Sequence, residues 1–392
     1  MIQSRRAAAF GVAAVAGLLL WQFLTVRYNY GGNWTALFCI DTRTQVPAAL
    51  EAEHLYTCAI PIGYDGAVFH LIAHDPGMRR GFANFIRIPA FRYRRILVPA
   101  LAWALALGDD AWIHTAYFTV ILGFAFLGVY WLALLAMRRE MHPAWGLVFA
   151  LTPATLTSVD RMTADIALAA LAVGFALYVD QGPRWRLVLV LALAALVRET
   201  AFPFIGGYLL FLLSRRRFAD GVWTAAAMLP ALGWYAFLRT HLKDASMSWL
   251  MGWLPLAGFT HRLLHPLAYR LPPLENGIVN AMDYVALIGV AMALTCAARM
   301  AWKRKWDAGA AAIYGLAFMI LFIKGASVWD QVYSFGRILT PFLLLIALPQ
   351  FNSRPWLAFA PIFLIDARLI LEFIPQGIGI LRGIFKLPAV GL

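Results

Sequence analysis

The stretch 96–108, ILVPALAWALALG, decides the architecture, because counting it as a membrane crossing would invert every loop that follows. A helix of roughly 13 residues reaches only about 20 Å, against a hydrocarbon core of about 30 Å. It is read here as a half-inserted helix lining a cavity. Working outward from it, apolar runs lie at 7–25, 112–136, 143–159, 164–180, 187–197, 201–213, 219–238, 278–298, 308–323, 338–350 and 356–374. They predict an all-α polytopic membrane protein with about eleven transmembrane helices. The connections MRRE (137–140), GPRWR (182–186), SRRR (214–217), RMAWKRK (299–305) and SRP (353–355) are short, basic and separated by pairs of runs. Cytoplasmic loops have that character. The alternate connections, DRMTAD (160–165), RET (198–200), 239–277 and KGASVWDQVYSFGR (324–337), then face outward. The runs 187–197 and 201–213 are also short, and as a hairpin stopping below the outer surface they would leave Arg198 and Glu199 at membrane depth. Charges there require a partner or a wet cavity.

Composition supports a bilayer. The chain has 392 residues, 62% of them hydrophobic and 14% charged, with a mean hydropathy of +0.71, whereas soluble proteins are about one-quarter charged. The formal charge of +13 sits mainly in the clusters between apolar runs, so it encodes orientation and not a nucleic-acid partner. The first run follows Arg5 and Arg6 and leads into TVRYNYGG without a small-residue cleavage site. It reads as a retained anchor with its N-terminus in the cytoplasm. The expected organisation is one membrane unit over 1–392, with outer segments 26–95 and 239–277 lying on the bilayer as a cap of interfacial helices.

On that map Asp65, Asp75, Arg94, Arg95, Asp160, Arg161, Asp165, Arg198, Glu199, Asp330 and Arg337 all fall on or near the outer side. They are expected to converge on one pocket. Each also has a structural alternative: Asp160 and Asp165 as helix caps, Arg94 and Arg95 as snorkelling side chains, Asp330 as a solvated charge. The sharpest segment is GYDGAVFHLIAHDP (63–76). Its glycines predict a tight turn that fixes Asp65, followed by a short interfacial helix with Val68, Leu71 and Ile72 on one face. A carboxylate held just outside the membrane suits a general base toward an incoming hydroxyl; equally, Asp65 could N-cap that helix.

The motifs GYDG with its downstream DP, YRRILVPALAW (93–103), DRMTADIALAALA (160–172), RETAFPF (198–204) and SFGRILTPFLLL (334–345) together resemble bacterial integral-membrane glycosyltransferases of the GT-C superfamily, from Gly63 to Leu345. The resemblance implies a multi-helix fold in the inner membrane with a periplasmic active site. It also implies a polyprenyl-phosphate sugar donor, inverting transfer to a hydroxyl of a glycan or lipid-linked acceptor, and a catalytic acid in the first outer loop. Asp65 and Asp75 both match that position, with Asp65 favoured as base and Asp75 as support. Arg94, Arg95, Arg198 and Arg337 are the candidates for the donor phosphate, since a guanidinium binds phosphate through a fork and stays charged. Tyr64, His74, Asp160, Asp165, Glu199 and Asp330 are assigned to substrate contacts.

No cofactor is expected. His70 and His74, four apart, offer a divalent metal site with Asp65 or Asp75, but the chain has no HExxH, Walker, GxSxG or dinucleotide motif. Cys39 and Cys58 share an outer loop and are placed to pair in an oxidising compartment, with Cys296 a free packed thiol. Two other classes stay open: a transporter or flippase of a lipid-linked sugar, and an acyl or phosphoethanolamine transferase using His241, His261 or His265.

Overall fold

The computed structural model describes residues 2–42, 44–59, 63–180, 182, 184–243 and 250–387. Residues 43 and 60–62 of the first outer segment, 244–249 of the second, and Pro183 in the basic loop 182–186 lie outside the described residues.

Among the described residues the regular structure is helical apart from two two-residue strands, Ile40–Asp41 and Thr57–Cys58, which pair in parallel. Five helices among the described residues are long and apolar enough to cross a membrane: Gln3–Asn29, Asp110–Arg138, Phe218–His241, Pro273–Trp302 and Val332–Gln350. The helix Asp110–Arg138, with 29 residues, is about 43 Å long, more than the hydrocarbon thickness. The other expected runs form shorter helices: Asp165–Tyr178, Arg184–Val197, Ala201–Ser214, Ala308–Phe322 and Pro355–Leu371. The stretch 96–108 gives only the nine-residue helix Leu97–Leu105, too short to span. The run 143–159 departs from a single helix. It is a 3-10 segment, Pro143–Leu151, and a helix, Pro153–Arg161, divided at an extended Thr152. Pro153 removes a backbone donor and disfavours a helical conformation in the residue before it, and the Thr152 side chain caps the new helix.

Two helices form the centre. In Asp165–Tyr178 every residue but Ala176 and Tyr178 is buried. In Val332–Ala347 every residue but Ser334 and Arg337 is buried, so the one polar face of that helix opens on a single place. Small residues let neighbours close in: a side chain on Gly207 or Gly315 would overlap backbone carbonyls of Ala311 and Pro203 on the facing helix, the packing expected where helices associate in lipid.

The basic connections gather together. Arg138 donates to the Leu177 carbonyl at 2.7 Å and Arg139 to that of Leu348. Trp306 donates to Ser214 at 2.8 Å, while Arg184 and Arg217 share Asp220 at 2.7 and 2.9 Å. Arg138 and Arg139 finish the helix Asp110–Arg138 at its C-terminus, where the dipole favours cations. In the second outer segment, Arg262 of the helix Ala257–Leu264 reaches Asp283 at 2.5 Å, and Arg368 meets the other oxygen of Asp283 at 2.7 Å. That buried carboxylate fastens the segment to the helices Pro273–Trp302 and Pro355–Leu371.

Candidate functional site: an arginine-lined cavity around Asp65

The helix Asp65–His74 begins the site. Its entry is pinned from behind: the Gly63 amide donates to Asp41 Oδ2 at 2.9 Å and the Tyr64 amide to the Cys39 carbonyl at 3.3 Å. Cys39 is in turn disulfide-bonded to Cys58. Neither Gly63 nor Gly66 adopts a positive φ. Glycine is needed for close approach, since a Cβ at Gly66 would overlap the Arg161 carbonyl and one at Gly63 the Cys39 carbonyl. The expected one-sided apolar face is not seen. All its residues but Asp65 and Val68 are buried, because it packs between the helices Leu97–Leu105 and Asp110–Arg138. Nor does Asp65 cap it: Tyr64 occupies the cap position without a side-chain bond.

The Asp65 carboxylate instead enters a cavity of about 620 Å³ whose walls carry six arginines (Arg92, Arg94, Arg95, Arg161, Arg198, Arg337) and three carboxylates (Asp65, Glu199, Asp330). Arg92 Nη1 donates to Asp65 Oδ1 at 2.5 Å and Arg337 Nη2 to Asp65 Oδ2. Arg337 also lies 3.2 Å from Asp165 Oδ2, and Arg198 donates to Asp165 Oδ1. Charges therefore alternate along Arg92, Asp65, Arg337, Asp165 and Arg198. Beside them Arg95 grips Glu199 through a fork, Nε to Oε2 at 3.2 Å and Nη2 to Oε1 at 2.6 Å. Arg161 is sandwiched between the rings of Tyr64 and Tyr333, 4.0 and 3.3 Å from their centroids. Even so, the buried Nε atoms of Arg161, Arg198 and Arg337 have no hydrogen-bond partner among the described residues. Burial works against the charge of Asp65, but Arg337, then Arg92 and Arg95, outweigh it and hold the carboxyl well below its ordinary range.

The structure brings together most of the residues expected to converge. Tyr64, Asp65, Arg94, Arg95, Arg198, Glu199, Asp330 and Arg337 line the cavity, and Asp165 supports it from behind. Arg198 and its neighbour Glu199 approach only to 4.0 Å; Asp165 takes Arg198, and Glu199 takes Arg95. Asp75 is elsewhere. Its carboxylate accepts the amides of Arg79, Arg80 and Phe82 at 2.7, 3.0 and 3.2 Å, fastening the loop after the helix. Asp160 is buried 3.5 Å from Arg161, off the cavity wall. His74 points away, its Nδ1 donating to Asp110 at 2.7 Å.

Arg161, expected in the pocket but given no role, lines it, whereas Arg92 and Tyr333 went unassigned in the sequence. Arg92 ends a one-turn helix, Pro89–Arg92, and its signal was the density of arginine in FRYRR (91–95). No protein-family model, curated protein or solved structure matches this chain.

Proposed function

We propose that the protein is a membrane glycosyltransferase of the GT-C type, moving a sugar from a polyprenyl-phosphate donor to an acceptor hydroxyl with inversion. The observation that carries this reading is Asp65 held between Arg92 and Arg337 in a cavity with six arginines against three carboxylates. The volume suits a sugar phosphate, since small-molecule sites run from about 300 to 1,000 Å³.

In the paired state Asp65 is a poor base, because two guanidiniums stabilise its charge. A lipid-linked phosphate competes for those guanidiniums, and the unpartnered Nε–H groups of Arg198 and Arg337 add donors for it. As Arg337 and Arg92 turn toward the phosphate, Asp65 regains basicity. The acceptor oxygen then attacks the anomeric carbon, its proton passes to Asp65, and the bond from that carbon to the phosphate oxygen breaks. Arginines stabilise the negative charge growing on the departing phosphate, as preorganised donors do in other sites. Asp165 and Glu199 keep Arg198, Arg337 and Arg95 oriented throughout.

We place the cavity on the extracytoplasmic face of a bacterial inner membrane. The disulfide Cys39–Cys58 behind Asp65 belongs in an oxidising compartment, and the basic connections gathered around Ser214 and Trp306 follow the positive-inside pattern. Single cysteines test this orientation: Ser334→Cys, on the cavity wall, labels from outside and Ser214→Cys does not. The reaction is tested by supplying purified protein in lipid nanodiscs with radiolabelled polyprenyl-phosphate sugars and envelope glycolipid acceptors. Release of free polyprenyl phosphate with labelled acceptor supports the reading. Movement of intact donor across the bilayer without cleavage would replace it with the flippase class.

A further inference from the structure

Behind Asp65, on the far half of the same helix, lies a second polar cluster that the proposed reaction does not use. His70 and His74, both fully buried side chains, turn their Nε2 atoms toward each other at 3.0 Å. The Nε2 of His114, on the helix Asp110–Arg138, lies 2.8 Å from that of His70. Glu53 completes the ring: Oε2 is 3.1 Å from His114 Nε2 and 3.6 Å from His70 Nε2, and Oε1 is 3.4 Å from His74 Nε2. One ligating atom from each residue falls within 4.8 Å of the others. The sequence pointed to His70 and His74 with Asp65 or Asp75. The structure replaces those acids with Glu53 and adds a third imidazole.

From this geometry we propose that Glu53, His70, His74 and His114 bind a zinc-class divalent ion. Four ligands about 2.0–2.1 Å from a tetrahedral zinc stand about 3.3 Å apart, close to the spacings here. The tautomers agree. Asp110 is acceptor-only as a carboxylate, so His74 carries its proton on Nδ1, leaving the Nε2 lone pair aimed at the centre. Arg80 holds Asp110 through a fork, Nη1 to Oδ1 and Nη2 to Oδ2, both 2.7 Å. This is the carboxylate–histidine relay that orients metal ligands. Neither oxygen of Glu53 has a hydrogen-bond partner of its own among the described residues, although both are buried, and a cation between three imidazoles would satisfy them. Phe38 packs on His70 and His114, 4.6 and 5.7 Å between ring centroids, and shields the centre. Three imidazoles with one carboxylate select zinc or a neighbouring transition metal over magnesium or calcium. Four protein ligands make the site structural rather than catalytic. Its effect is mechanical: Glu53 sits between Cys39 and Cys58 in the chain, so the ion and the disulfide together clamp the outer loop whose Asp41 carboxylate and Cys39 carbonyl hold the amides of Gly63 and Tyr64. This inference does not depend on the proposed sugar transfer.

The test uses the full-length protein, purified in detergent on a tag without histidine after growth in zinc-supplemented medium. Elemental analysis is expected to find about one zinc per chain, and cobalt exchanged into the site should give the intense visible bands of tetrahedral cobalt. Glu53→Gln and His114→Ala should each reduce bound zinc to below about one-fifth of an ion per chain. If both variants keep a full equivalent, the proposed ligands are wrong. Should the variants aggregate, the wild type decides alone: monodisperse protein that neither contains zinc nor retains added zinc or cobalt overturns the proposal.

Discussion

One ten-residue helix carries two carboxylate environments of opposite character. At its start Asp65 is pressed between Arg92 and Arg337, in a cavity with an excess of guanidinium groups. On its far half His70 and His74 converge on Glu53 with His114. The first place has positive charge to spare and suits an anion. The second has lone pairs and one negative charge, and suits a cation. A carboxylate alone says little about function; the groups around it decide whether it is a base in waiting, a metal ligand or a loop staple like Asp75.

The comparison can be broken by substitution. The largest loss of stability should follow Arg337→Gln, which strips a partner from Asp65 and Asp165 at once. Breaking a buried ion pair from one side costs about 3–5 kcal/mol. Thermal unfolding in detergent should show this, and adding Asp65→Asn to Arg337→Gln should recover part of it, because the two sites are coupled. Equal losses summed in the double variant would mean that the alternating charges do not act as a chain. Next in size is Gly66→Ala, whose Cβ meets the Arg161 carbonyl; overpacking of this kind costs about 1–3 kcal/mol. It should also displace Asp65 and lower transfer, whereas Gly309→Ala, with only the Asp307 side chain nearby, should do neither.

On the cation side, Asp110→Asn leaves all four ligands in place and should weaken zinc binding by roughly 10–100-fold. Competition with a chromophoric chelator measures this, and unchanged affinity would remove Asp110 from the relay. The smallest effect is that of pH. The folded Asp65 carboxyl titrates well below its ordinary value, so its contribution is complete above the unfolded value of about 3.9 and is lost as pH falls through the folded value. The difference in melting temperature between wild type and Asp65→Asn should stay constant from pH 8 to about pH 5 and narrow only below about pH 4. Narrowing near pH 6 would mean that the arginines do not hold the carboxylate.

How much of this was legible differs between the two regions. The arginine-lined cavity was largely readable, because charge is rare in so apolar a chain and topology alone sorts Asp65, Arg198, Glu199 and Arg337 to one side. Their pairings were not readable. Arg198 chooses Asp165 over its neighbour Glu199 because successive residues at a helix junction diverge, and only the fold brings residue 165 beside residue 337. The histidine cluster was half visible as His70 and His74, whose four-residue spacing marks one helix face. Glu53, in the plain segment AALEAEH, and His114, inside an apolar run, carry no local mark. Hydropathy also merged 143–159 into one helix, since apolar content does not register the break that Pro153 and Thr152 impose.

The account rests on Asp65 as the base in the cavity. The most direct measurement is the single-turnover rate of sugar transfer by wild type and Asp65→Asn, compared at saturating donor with folding verified by gel filtration. Loss of a general base should cut the rate by about 10²–10⁴-fold while donor binding persists. A folded Asp65→Asn that transfers sugar at the wild-type rate would contradict the assignment.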